Sequence, residues 1–248
     1  MAPAPRGPSR PSPGGEFATT HWSVVLAAGH PTDARASAAL EQLCRTYWYP
    51  LYAYARRHGH PPADAEDLTQ EFFARLLARD YLARADPRKG RFRSFLLTGM
   101  KYLLCDERDR ARRLKRGGGQ QAIAFDAHVA EERYRLEPAD TSTPERVFER
   151  AWASALLERA AHRLREEYVA AGRAALYEQL TEFRLDAQGR RAYAEVAAEL
   201  DRSESAVKSA IRRLRQRHNE LVREEVAHTV ADPAEVDGEI RHLLRVVV

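Results

Sequence analysis

Residues 193–218 read YAEVAAELDRSESAVKSAIRRLRQRH, and the spacing within them decides what kind of chain this is. Val196, Ala197 and Leu200 give a first short helix an apolar stripe. Asp201 is a residue type that accepts the left-handed turn most residues avoid, and Ser203 can cap the helix that follows. In that second helix, opened by Ser203 and Ser205, Val207, Ile211 and Leu214 recur at i, i+4 and i+7 and must face inward. Lys208, Ser209, Arg212, Arg213 and Gln216 are thereby turned outward. Two short helices, a tight turn and an outer face of cations and amides are the outline of a helix-turn-helix DNA reader, since such a face suits phosphates and base edges. An amphipathic hairpin with a merely solvated basic face carries the same pattern.

The rest of the chain is read outward from there. At 248 residues, with 31% charged and 44% hydrophobic residues, it has the composition of a globular protein of one or two domains. A net charge of +4 is modest, so a basic signal has to come from clustering of Lys and Arg. Cys44 and Cys105 lack a C-x-x-C partner, which indicates neither a thiolate metal site nor a disulfide framework. No apolar run reaches the roughly 20 residues that span a bilayer, and the N-terminus lacks the apolar centre of a signal peptide. The expectation is a cytoplasmic protein, nucleoid-associated and without membrane contact.

Periodicity predicts helices throughout. Residues 1–18, rich in Pro and Gly, read as a disordered tail. A first all-α domain is expected over 19–116, with apolar faces through Trp22, Val25 and Leu26, then Leu40, Leu43, Cys44, Tyr47, Trp48 and Leu51. Pro50 should bend that helix or mark a junction. Further helices are predicted from about Ala63 to Ala78, with Leu68, Phe72, Phe73, Leu76 and Leu77 inward, and from about Phe92 to Lys115. Gly117, Gly118 and Gly119 open an acidic, flexible linker over 117–143. Thr143-Pro144 signals the start of a second helical domain, 144–228, with Trp152, Leu156, Leu164 and Tyr168 along its first helix. A C-terminal extension, 229–248, is predicted to hold a small helix after the capping signal Asp232-Pro233-Ala234-Glu235. Its stripe of Val236, Ile240, Leu243 and Leu244 needs a surface to cover it.

Two further patterns bear on chemistry. Between Arg91 and Arg116, aromatics Phe92, Phe95 and Tyr102 sit among Arg91, Arg93 and Lys101 and precede Asp106, Arg108, Arg110, Arg112 and Arg113. Rings that stack bases beside cations that follow a backbone suit single-stranded nucleic acid, whereas the same aromatics as core and the same arginines as a solvated face suit an ordinary helix. On the helix before it, Asp64, Asp67 and Glu71 fall at i, i+3 and i+7. They fit an acidic docking face, a solvated face, or a divalent-metal site that would make the chain a nuclease. No His or further Asp completes such a site, and His58 and His60 lie near a turn. The chain holds no Ser/His/Asp or Cys/His set and no glycine-rich phosphate loop, so no catalytic residue and no cofactor is expected.

Taken together these segments resemble the extracytoplasmic-function group of sigma-70-type RNA polymerase sigma factors, over most of residues 19–228. Residues 64–73, DAEDLTQEFF, with Asp64, Asp67, Gln70, Glu71 and Phe73, are similar to the segment that docks on the clamp helices of the polymerase's largest subunit. Residues 92–96, FRSFL, with Asp106 and the arginines after it, resemble the part that opens and reads the minus-ten promoter element. The helix-turn-helix resembles the minus-thirty-five reader. Tyr102 stands where many members carry Asn and Phe95 where they often carry Trp. The resemblance implies core RNA polymerase and promoter DNA as partners, a linker that runs through the polymerase as an acidic mimic of nascent RNA, and room for an anti-sigma or other regulatory protein. A helix-turn-helix regulator that never touches polymerase is the alternative, and the carboxylates of 64–71 are what it leaves without a purpose.

Overall fold

Apolar spacing through Cys44, Tyr47 and Leu51 builds the inner face of α1 (Ala34–Arg57) in the computed structural model, which describes residues 34–77, 91–111, 127–136, 143–184, 192–230 and 232–247. Leu51, Tyr52, Ala53, Tyr54 and Ala55 are all fully buried, so neighbours cover this stretch of α1 on every side. The helix runs on through Pro50 instead of ending there. Packing on both flanks offsets the hydrogen bond that the proline removes. Burial also pushes the Cys44 thiol up to about 12.

The described residues form helices and turns only. After α1 come α2 (Pro62–Leu77), α3 (Phe92–Ala111), α4 (Ala127–Leu136), α5 (Pro144–Ala170) and α6 (Ala174–Leu180) with a 3₁₀ turn (Thr181–Phe183). Then follow α7 (Tyr193–Glu199), α8 (Glu204–Ala227), a second 3₁₀ turn (Pro233–Glu235) and α9 (Val236–Val247). The start of α5 is set as its sequence predicts, with the Thr143 hydroxyl accepting from the Arg146 N–H at 3.3 Å and Pro144 needing no acceptor. Its end is set by Gly172, at φ +69°.

The main seam of the protein lies between α1 and α5. Phe148, Trp152, Leu156 and Leu164 of α5 are buried, and the Trp152 indole N–H donates to the Tyr47 hydroxyl at 3.2 Å. Ala53 and Ala55 on one helix and Ala151 and Ala160 on the other are fully buried too; such short side chains let two backbones come close. One hydrophobic core thus runs from Cys44 to Leu243, across the expected boundary between 19–116 and 144–228.

The linker expectation needs correction for residues 127–136. They form α4, which docks on α1: Glu131 accepts from Arg56 Nε at 2.9 Å, from Arg56 Nη2 at 3.0 Å and from the Tyr52 hydroxyl at 2.7 Å. Arg133 lies 4.2 Å over the Tyr49 ring and pairs with Glu158 of α5. An acidity that reads as linker character in sequence is, at Glu131, one half of a bidentate ion pair. Glu132 is exposed on α4, while the acidic positions Asp126, Glu137 and Asp140 lie outside the described residues, as do the tail 1–18 and the stripe through Trp22, Val25 and Leu26.

Helix α8 closes on α5 through Leu214, Leu221 and Val226 and through buried Glu225, which takes Arg159 and Arg163 of α5, each at 2.8 Å. His218, 1% exposed, sits in the same seam with its Nε2 meeting no partner among the described residues. Burial, helped by the Arg184 charge, lowers its pKa from 6.5 to about 4. Above pH 6.5 both folded and unfolded chains hold it neutral; as pH falls from 6.5 towards 4 the unfolded chain takes the proton first, so stability is lost across that window. The expected loss is roughly 3 kcal/mol. Urea titrations between pH 7 and 4 check it, and His218→Leu should flatten the profile; an unchanged profile in that variant would assign the acid response to other groups.

Candidate nucleic-acid interface

The turn of residues 200–203 is built as its chemistry requires. Asp201 adopts φ +50°, Arg202 N–H donates to Ala197 O at 2.9 Å, and the Ser203 hydroxyl accepts from the Ala206 N–H at 3.2 Å while meeting Ser205 Oγ at 3.0 Å. With Val196, Val207 and Leu214 fully buried and Ile211 nearly so, the outer face of α8 is fixed. Lys208, Ser209, Arg212, Arg213 and Gln216 are all exposed on it. Lys208 pairs with Glu204 at 2.6 Å and Gln216 donates to Glu220 at 3.2 Å, contacts within one helix that cost little to exchange for a phosphate or base.

Helix α2 carries the acidic face. Asp64 and Asp67 are exposed, Gln70 donates to Glu66 at 3.1 Å, and Glu71 pairs with Arg75 of the next turn. Phe73 points the other way: it is 1% exposed and packs edge-on against Phe72 at 5.7 Å between ring centres. Its place in the structure is the core. Among the described residues no three His, Cys, Asp or Glu side chains gather where a metal ion could be held.

Helix α3 divides its aromatics between core and surface. Phe92 is 1% exposed and lies edge-on to Tyr47, 5.6 Å between centres, so for this ring the core reading holds. Phe95 is half-buried, stacked 6.1 Å from Phe92, and Tyr102 is 69% exposed. With Ser94, Thr98, Lys101, Cys105 and Asp106, Tyr102 makes a continuous open strip along the helix. Arg93 is buried: it donates to Glu239 of α9 at 2.7 Å and to Glu149 of α5 at 2.6 Å, with its guanidinium 4.9 Å over the Trp152 ring. In this conformation it has no path to a nucleic acid. Arg91 pairs with Glu239 at 2.9 Å, and Lys101 with Glu145 at 2.8 Å, which holds the Glu145 carboxyl below its usual range. Glu145, Glu149 and Glu239 carry no sequence signal that links them to α3, because the contacts span 44 to 148 positions along the chain. The Arg108 side chain, Arg112 and Arg113 lie outside the described residues.

Residues 43–114 match the family model for sigma-70 region 2. This part of the chain is similar to sigma-70 region 2. The match takes in most of α1 and all of α2 and α3, so the acidic face and the aromatic strip both fall inside it. The match supports a sigma-70-type role in transcription initiation. No curated protein and no solved structure matches the chain. The helix-turn-helix lies beyond the matched residues, and its assignment rests on the geometry above. Among the described residues no helix is long and apolar enough to cross a membrane.

Proposed function

We propose that the chain is a sigma factor of the extracytoplasmic-function type, which binds core polymerase through the outer face of α2 and directs it to promoters read at two places. The observation that carries this reading is the pairing, inside the sigma-70 region 2 match, of an acidic helix face at Asp64, Asp67, Gln70 and Glu71 with an exposed strip at Lys101, Tyr102 and Asp106 on the neighbouring helix. A regulator that never docks on polymerase needs the basic face of α8 and neither of these. In this reading α8 holds duplex DNA upstream while α3 captures unstacked non-template bases, and tethering the two contacts gives a specificity that neither supplies alone. The chain performs no chemistry in this role. Run-off transcription from genomic fragments with core polymerase tests it: promoter-specific transcripts that require the chain are expected, and their absence from every fragment overturns it.

The recognition helix yields a quantitative expectation. Arg212→Ala and Arg213→Ala, both at exposed positions, should each weaken promoter binding while leaving the fold intact. A residue on a phosphate lowers affinity for every sequence and flattens the salt dependence by about one unit, whereas a residue on a base edge costs roughly 1 to 3 kcal/mol at one position. Titrations of a promoter fragment and a scrambled duplex at several salt concentrations separate the two roles. Parental binding by both variants would remove α8 as the reader.

A further inference from the structure

Helix α9 brings a carboxylate into the protein to meet the arginines at the start of α3. Glu239 is 1% exposed and holds both Arg91 and Arg93. The second arm of Arg93 holds Glu149 of α5, and Glu149 also takes His242 of α9 at 2.8 Å. Further along α3, Lys101 holds Glu145. Arg91, Arg93 and Lys101 are the only cations between residues 91 and 101, and each already grips a carboxylate from the C-terminal half of the chain in the way a cation grips a phosphate. Helix α9 is held down besides by Val236 and Leu243, both buried, against α5 and α8.

We propose that α9 is an intramolecular latch: Glu239, backed by Glu149 and Glu145, occupies the cations that the minus-ten strand needs, and α9 must be displaced before that strand can be taken. The latch rests on the promoter-reading role assigned to α3 above. A carboxylate buried to this degree is stable only while paired, because stripping one partner leaves an uncompensated charge away from water. Release is therefore a switch between two states. A tethered carboxylate is also present at a high effective concentration, so a nucleic acid competes against it at a disadvantage until α9 leaves.

The test uses the full chain and a fluorescein-labelled 20-nucleotide oligothymidine as the single-stranded probe, read by anisotropy at low salt. Glu239→Gln, and separately a chain ending at Ala231, should bind about tenfold tighter than the parent. The freed Arg91 should steepen the salt dependence, a single strand contributing about 0.7 per phosphate neutralised. Arg91→Ala, half-exposed and outside the core, should erase the gain in either background. Circular dichroism first establishes that each variant is folded; should the shortened chain unfold, Glu239→Gln and Glu149→Gln decide. Folded variants that bind the probe like the parent overturn the latch, as does a gain that survives Arg91→Ala. The promoter-reading role fails separately, if neither the parent nor the unlatched chains give a run-off transcript with core polymerase, whatever the anisotropy shows.

Discussion

Trp152→Ala is expected to lose about 3 to 5 kcal/mol of stability, the range for removing a large aromatic from a core that cannot collapse onto the gap. The residue is fully buried, and its loss strips the Tyr47 hydroxyl of its donor and the Arg93 guanidinium of the ring beneath it. One substitution in α5 therefore undoes contacts to α1 and α3 together. Because the core is continuous from Cys44 to Leu243, the two halves should melt as one. Calorimetry and tyrosine fluorescence should report a single transition in the parent and a single, lower one in the variant. A variant that melts in two steps would show that the α1–α5 seam is not what couples the halves.

The largest effect on function is expected from Asp67→Lys. Asp67 is exposed on α2, so the fold should tolerate the change, whereas a cation set against a basic partner surface costs several kcal/mol, on the order of a hundredfold or more in Kd. Binding to labelled core polymerase should fall by that factor while the full chain keeps its affinity for a promoter duplex, because the outer face of α8 is untouched. Salt should narrow the gap between parent and variant. Equal affinity for core would remove α2 as the docking face.

What could be read from sequence divides along the reach of the interactions. Helix limits at Thr143-Pro144, the left-handed turn at Asp201, the Ser203 cap and the inward set Val207, Ile211 and Leu214 depend on neighbours within a few residues, and the structure forms them as their spacing predicts. The capping signal at Asp232 holds too, with its carboxylate accepting from the Ala234 N–H at 2.8 Å, and the stripe it announces finds its cover on α5 and α8, except for exposed Leu244. Long-range partners were not legible. Arg93 reads like Arg91 in sequence, and only the arrival of Glu149 and Glu239 buries it; Phe73 is buried as its helical spacing predicts, against the docking contact that the resemblance implied for it. The same limit hid the docking of α4, since nothing local in Glu131 points to Arg56 across 75 positions.

The two cysteines differ in a way that turns the molecule into its own instrument. Cys44 is buried, with a thiol pushed up to about 12, and stays unreactive towards maleimides near neutral pH; Cys105 is exposed on the open strip of α3, three residues beyond Tyr102. A fluorophore added to the natural chain therefore lands at one place, on the strip assigned to the separated promoter strand. No engineered thiol is needed to follow, in real time, the moment at which bases reach that helix.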